Sequence, residues 1–326
     1  MPKAELHMHL EGSLEADLMF RLARRNKVTL QWGAEEELRA AYQFANLQAF
    51  LDMYYAGLTV LLTEADFFDM TWAYLERVHD ENVLHTEVFI SPQAHTRRGV
   101  AFEAMFAGIA NALKQAEARF GMTTGILLGL QRQWSEDDAM TMLNQARSVR
   151  DQIVGIGLGG PELPNPPAKF SRAFERARAE GWKTVAHAGE EGPASYVADA
   201  VDLLKVDRID HGVRCAEDAS LVARLASARI PLTVCPLSNV ELKVFPSLAA
   251  HNLKTLLRAG VAVTINSDDP SYFGGYMNEN FSAAQEALDL TADDVYTIAR
   301  NGFEAAFLSP DVKARYISEL DIYWKN

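Results

Sequence analysis

His7 and His9 stand two apart in Ala4-Glu5-Leu6-His7-Met8-His9, a stretch whose alternation reads as a β-strand. Side chains two apart on a strand share a face, so both imidazoles can reach one cation. Taken alone, the pair reads equally well as two histidines at the end of a core strand. A third imidazole, His187, ends the run Thr184-Val185-Ala186 and opens His187-Ala188-Gly189-Glu190, where the glycine permits a sharp turn that leaves an acid beside it. His211 follows Ile209-Asp210, and Asp268-Asp269-Pro270 follows Thr264-Ile265-Asn266-Ser267. His211 alone could be a satisfied core histidine, and either aspartate could cap a helix. Together, three metal-type imidazoles, an acid, a further histidine and a costly pair of adjacent carboxylates, all at ends of apolar strands, point to a site that binds a metal and moves protons. His79, His85, His95 and His251 fall inside a strand or in helical and loop contexts, and no role is assigned to them.

Positioning such a set requires strands that end on one side of the molecule. Short apolar runs at Ala4–His9, Asn82–Ser91, Thr123–Leu130, Ile153–Leu158, Lys183–Ala188, Arg208–His211, Ile230–Cys235 and Val261–Asn266 alternate with amphipathic stretches such as Phe102–Arg119, Glu136–Asp151, Lys169–Glu180 and Ala216–Ala228. Strands apolar throughout belong to a parallel sheet buried on both faces. Eight strands close a (β/α)8 TIM-type barrel, whose chemistry sits at the strand C-termini; an open doubly wound sheet would give the same alternation. The expectation is a single α/β domain over residues 1–326, with residues 14–77 forming a helical insertion and lid after the first strand. Thr291 to Asn326 read as closing helices.

The 326 residues are 48% hydrophobic and 23% charged, the composition of a globular chain, and no linker or low-complexity tract divides them. Thirty-one Lys+Arg against 44 Asp+Glu give a formal charge of −13, which repels nucleic acid and anionic membranes and suits a small neutral or cationic ligand. Two cysteines, Cys215 and Cys235, exclude a disulfide framework and a thiolate zinc site, and point to the cytoplasm. No signal peptide and no window of membrane-spanning length is apparent, and homo-oligomer formation is left open.

The segments Pro2–Gly12, His187–Glu190, Ile209–Gly212, Cys235–Asn239 and Ser267–Pro270 resemble the adenosine/adenine deaminase family of the amidohydrolase superfamily. That resemblance implies one Zn2+ per chain, held by His7, His9, His187 and Asp268. It implies that His211 orients a water and takes its proton, that Glu190 protonates purine N1, and that Asp268 shares in proton transfer. Asp269 would hydrogen-bond N7, and Gly160 matches a residue whose backbone N–H meets N3. Glu11 stands where adenosine-acting relatives carry an aspartate on the ribose, and a longer carboxylate there could fill ribose space. With Glu190-Glu191-Gly192-Pro193 and Phe273-Gly274-Gly275-Tyr276, it resembles the branch that acts on the free base, converting adenine to hypoxanthine and ammonia. One departure is Gly159-Gly160-Pro161-Glu162, where that branch has Asp-Ser-Ser/Asn-Glu. The exchange removes polar contacts and opens space, so an N6-substituted, cytokinin-like adenine is an alternative substrate. Adenosine or aminodeoxyfutalosine is another, and a purine-binding pseudoenzyme is the alternative outside the enzyme class. A nucleic-acid deaminase is excluded, because its His-x-Glu and Pro-Cys-x-x-Cys zinc pattern is absent.

Overall fold

The computed structural model describes residues 1–325; Asn326, the end of the stretch expected to be helical, lies outside the described residues. The strands are β1 (Lys3–His9), β2 (Val83–Ile90), β3 (Thr123–Gln131), β4 (Gly155–Gly159), β5 (Lys183–Ala188), β6 (Arg208–His211), β7 (Leu232–Val234) and β8 (Val263–Ile265). They pair in parallel and in sequence order. Between β1 and β2 stand α1 (Ala16–Asn26), α2 (Glu35–Ala40), α3 (Leu47–Gly57) and α4 (Glu64–Asp80). The later connections carry α5 (Pro92–Thr96), α6 (Phe102–Phe120), α7 (Glu136–Ala146), α8 (Ser171–Ala179), α9 (Ala194–Asp199), α10 (Ala219–Ala228), α11 (Pro236–Glu241) and α12 (Leu253–Arg258). Three helices follow β8: α13 (Met277–Leu288), α14 (Ala292–Ala305) and α15 (Pro310–Lys325).

The sheet curls into a (β/α)8 barrel that closes where β1 meets the end of β8. There Leu6 N donates to Asn266 Oδ1 at 2.8 Å, Asp268 N to His7 O at 3.1 Å and His9 N to Asp268 O at 2.8 Å. A side-chain amide thus replaces one rung of the ladder, and the closing contacts fall on the chemically interesting residues themselves. The last two strands are shorter than their apolar runs because Pro231 has no N–H to give and Asn266 spends its side chain on β1. The helical run expected to reach Asp151 ends at Ala146 and continues as a tighter turn broken at Val149. Asp218 starts α10 later than its pattern suggests by accepting from Ser220 N at 2.8 Å and Leu221 N at 3.2 Å.

Inside the barrel, away from the strand ends that carry the histidines, Arg208 of β6 and Glu87 of β2 pair at 2.7 Å, both fully buried. Phe307 covers the guanidinium at 4.0 Å and its N–H donates to Glu87 Oε1 at 2.5 Å. Within residues 14–77, α4 packs on α6 so closely that a Cβ at Gly108 would overlap Glu64 O, placing α4 in the outer ring of helices. It is α3 that leans over the strand ends. Among the described residues no helix is long and apolar enough to cross a membrane.

Candidate metal centre and active site

The strand C-termini surround a cavity of about 600 Å3 whose floor is formed by His9, His187, His211, Asp268 and Glu190. Its walls come from Phe89, Leu130, Gln131, Gly159, Gly160 and Leu242, and its roof from Leu47, Phe50, Leu51, Tyr54 and Tyr55 of α3. Phe89 of β2 holds the imidazoles in place, stacking on His9 with centroids 5.1 Å apart and meeting His7 and His187 edge-on at 5.6 Å.

Four donor atoms converge beneath the cavity. His187 Nε2 lies 3.2 Å from His7 Nε2 and 3.1 Å from His9 Nε2, and Asp268 Oδ1 lies 3.6 Å from His7 Nε2 and 3.4 Å from His9 Nε2. Donors at the corners of a tetrahedron with metal bonds of about 2.0–2.2 Å stand roughly 3.3–3.6 Å apart, and these four separations fall near that spacing. The protons agree. His7 Nδ1 faces Thr233 O at 3.0 Å, an acceptor, and so carries the proton; its Nε2 is a bare lone pair. His187 Nδ1 lies 3.2 Å from Asp210 Oδ2 without a hydrogen bond between them, and the facing carboxylate charge favours the proton on Nδ1, which leaves Nε2 bare. Two lone pairs facing each other at 3.2 Å repel unless a cation lies between them. Burial holds the His7 imidazole well below its usual range and takes His187 to about 3, so both stay neutral. Burial pushes the Asp268 carboxyl up, and the pull of any charge taken up by His7, His211, His9 and His187 outweighs that and lowers it. These residues fit a divalent cation.

His211 belongs to a different network. Leu253 N donates to His251 Nδ1 at 3.0 Å, so His251 carries its proton on Nε2 and gives it to Asn239 Oδ1 at 3.2 Å. The Asn239 amide is thereby oriented to donate from Nδ2 to His211 Nδ1 at 3.3 Å, which leaves the His211 proton on Nε2. Nε2 points at Glu190 Oε2, 3.6 Å away, and at Asp268 Oδ2, 3.8 Å away. Donor atoms of His7, His187, His211 and Asp268 lie within 4.8 Å of one another, but a protonated Nε2 on His211 cannot ligate, whereas His9 offers an Nε2 3.1 Å from His187 Nε2 and 3.4 Å from Asp268 Oδ1. Asp268 thus divides its oxygens: Oδ1 toward His7 and His9, Oδ2 toward His211 and the Ser238 hydroxyl, which donates at 2.6 Å. Both His211 and Asp268 hold left-handed backbone, φ 59° and 65°, a strain that places their side chains over the strand ends.

Glu190 and Asp269 are acids in a dry site. Burial first, and then the neighbouring Asp268 charge, raise both carboxyls well above the usual range, and each has one buried oxygen without a partner. The loop bearing Glu190 is clasped by Glu162, whose carboxylate accepts from the backbone N–H of Gly189, Glu190, Glu191 and Gly192 at 2.6, 3.0, 2.8 and 2.7 Å. Arg132 grips the same loop, donating to His187 O at 2.7 Å. Asp269 packs against Gly12, where any Cβ would overlap its carboxyl.

Of the residues singled out by sequence, His9, His187, Glu190, His211, Asp268, Asp269 and Gly160 line the cavity, and His7 lies just beneath its floor. Glu11 does not line it. Its Oε1 accepts from Ser91 N at 2.8 Å and from His95 Nε2 at 3.1 Å, and these bonds turn it away from the wall, which Ser91 and Tyr54 supply instead. Sequence reasoning gave no role to Glu162, Asn239, His251 or Phe89. Asn239 lies in a segment already singled out, but its use depends on His251, and that contact is visible only in three dimensions.

The sequence profile of the adenosine deaminase family matches residues 2–323. An adenine deaminase of Cupriavidus taiwanensis is 56% identical over 323 residues, covering 99% of this chain and 92% of its own. The crystal structure of an adenine deaminase from Arthrobacter aurescens superposes with a TM-score of 0.98 at 48% identity, over 100% of this chain and 99% of that one. A zinc-bound amidohydrolase from Burkholderia ambifaria superposes with a TM-score of 0.92 at 28% identity, over 100% of this chain and 91% of that one. A barrel matched end to end, carrying the converging imidazoles, the aspartate and the buried acid, leads to one conclusion: the chain belongs to the adenosine deaminase family.

Proposed function

We propose that this protein is a zinc-dependent adenine deaminase, converting adenine and water to hypoxanthine and ammonia. Full-length relatives at 53–56% identity are adenine deaminases, and this carries the substrate. The observation that carries the chemistry is the pair of bare imidazole nitrogens facing each other beside Asp268 Oδ1. His7, His9, His187 and Asp268 would hold the ion, a donor set suited to zinc, and the zinc-bound relative supports that metal. When bound, zinc supplies the Lewis acidity that makes water nucleophilic near neutral pH.

The chain's own residues do the rest. Glu190, kept protonated by burial, gives its proton to N1 and makes C6 electrophilic. Asp269, also held protonated, donates to N7, and Gly160 brings its backbone N–H to the adjoining wall. His211 carries its proton on Nε2, so it orients the incoming oxygen as a donor and stabilises the negative charge that develops there. This shifts the task of taking the water's first proton from His211 to Asp268 Oδ2, which then delivers it to the amine. The second water proton returns to Glu190 as the C6 carbonyl forms, so the water's two protons end on ammonia and, in net, on N1. The apolar roof from α3 excludes water, consistent with a single barrel domain in which part of residues 14–77 covers the site. Two buried free cysteines support a reducing, cytoplasmic setting. Incubating the zinc-loaded protein with adenine and following hypoxanthine and ammonia tests the reading, and failure to produce either would refute it.

A further inference from the structure

The chemistry above engages the C6, N1 and N7 positions of the base and leaves the edge that points toward the cavity mouth unread. Gln131, the last residue of β3, stands on the cavity wall. Its backbone N–H is held by Gln93 Oε1 at 3.1 Å, and its Oε1 accepts from Gln133 Nε2 at 3.2 Å. Gln133 Nε2 donates as well to Tyr55 OH at 3.1 Å, tying the pair to α3. The Gln131 amide is thereby held through Oε1, with one lone pair still open and an Nε2 that has no partner among the described residues, while Gln133 Oε1 is also left without one. Elsewhere the roof offers the apolar Leu47, Phe50 and Leu51, with Tyr54 and Ser91 as the other hydroxyl-bearing lining residues.

A purine with C6 on the floor, N1 toward Glu190 and N7 toward Asp269 turns N3 and N9 away from the floor. In a free base N3 is an acceptor and N9–H a donor, the complement of a side-chain amide. We propose that Gln131 is a specificity-determining residue that reads this edge, Oε1 accepting N9–H and Nε2 donating to N3 beside the Gly160 amide. A nucleoside has no N9–H, sets its sugar against the Gln131–Gln133–Tyr55 cluster and leaves a buried lone pair unmet. The selection is thus for a 6-aminopurine free base. This inference rests on the deaminase reading.

The test compares kcat/KM for adenine, 9-methyladenine and 3-deazaadenine in the wild type and in Gln131→Leu. Wild type is expected to favour adenine over both analogues. Gln131→Leu lowers adenine turnover about 10- to 100-fold and leaves 9-methyladenine within about twofold, so the preference collapses. Gln131→Glu, which keeps an acceptor for N9–H and loses the donor, retains discrimination against 9-methyladenine and discriminates less against 3-deazaadenine, for which only the Gly160 amide remains. A wild type that treats adenine and 9-methyladenine alike overturns the proposal without any variant, as does an unchanged ratio in a folded Gln131→Leu protein. No turnover of adenine by the wild type would instead refute the deaminase reading.

Discussion

Asn239 donates from Nδ2 to His211 Nδ1 across 3.3 Å, and this single bond decides which nitrogen of His211 carries the proton. The direction is set from outside the site, by the backbone N–H of Leu253 acting through His251. Asn239→Asp offers only acceptors, so His211 would move its proton to Nδ1 and present a bare Nε2. We expect kcat to fall by about 10²–10⁴ with KM little changed, the size of effect a misassigned imidazole tautomer produces. Steady-state kinetics with metal content measured alongside decide it; an unchanged kcat would return the role of base to His211.

Glu190 must be protonated to act, and burial beside Asp268 raises its carboxyl. Its active form is therefore present at low and neutral pH and is lost as pH rises through its raised value, giving kcat an alkaline limb. Glu190→Gln keeps a donor near N1 but has no proton to transfer. It should lower kcat about 10²–10⁴-fold and abolish that limb. A pH–rate profile that keeps the limb in the variant would assign it to another group.

Glu162 never reaches the cavity wall, yet four backbone amides of the Glu190 loop converge on its carboxylate. Glu162→Gln replaces one acceptor oxygen by a donor pointed at donors. We expect a stability loss of about 1–3 kcal/mol and a fall in kcat of about tenfold or more in the folded fraction, with zinc retained. Faster amide hydrogen exchange confined to residues 189–192 would locate the effect, and a variant with wild-type kcat would limit Glu162 to stability.

The buried Arg208–Glu87 pair makes a separate claim about the barrel. Burial alone would raise Glu87, but Arg208 and the neighbouring His85 outweigh it and take the carboxyl down to about 2. A carboxyl depressed in the folded state stabilises it at pH above its unfolded value, and that contribution is lost as pH falls toward about 2. Glu87→Gln should cost about 3–5 kcal/mol at pH 7, since it strands a buried guanidinium, and the gap between variant and wild type should narrow in acid. Denaturant melts at pH 7 and pH 3 measure both; a gap constant with pH would contradict the linkage.

Much of this was legible in the sequence because β-strand alternation and strand ends do the placing. His7 and His9 had to share a face, and His187, His211 and Asp268 had to gather wherever eight parallel strands terminate together. What escaped is what depends on contacts between loops of distant origin. Glu162 is the one position of the Gly159–Glu162 run that keeps the family residue, and its work appears only once the 189–192 amides turn toward it. Glu11 was expected at the substrate, but it stands off the cavity wall with Oε1 held by Ser91 N and His95, while its buried Oε2 has no partner. The proton position on His211 likewise depends on His251, forty residues further along the chain.

The measurement that bears most directly on the account is product release from the zinc-loaded protein offered adenine, adenosine and N6-isopentenyl adenine separately, with a chelator-treated sample beside it. Hypoxanthine and ammonia are expected from adenine, with adenosine slower by about two orders of magnitude or more, on the order of the discrimination a buried polar contact gives. Loss of activity in the chelated sample and recovery when zinc is restored are expected as well. Preference for the substituted base would move the substrate to an N6-alkyl adenine, preference for adenosine would contradict the free-base assignment, and undiminished activity after complete metal removal would contradict the metal centre itself.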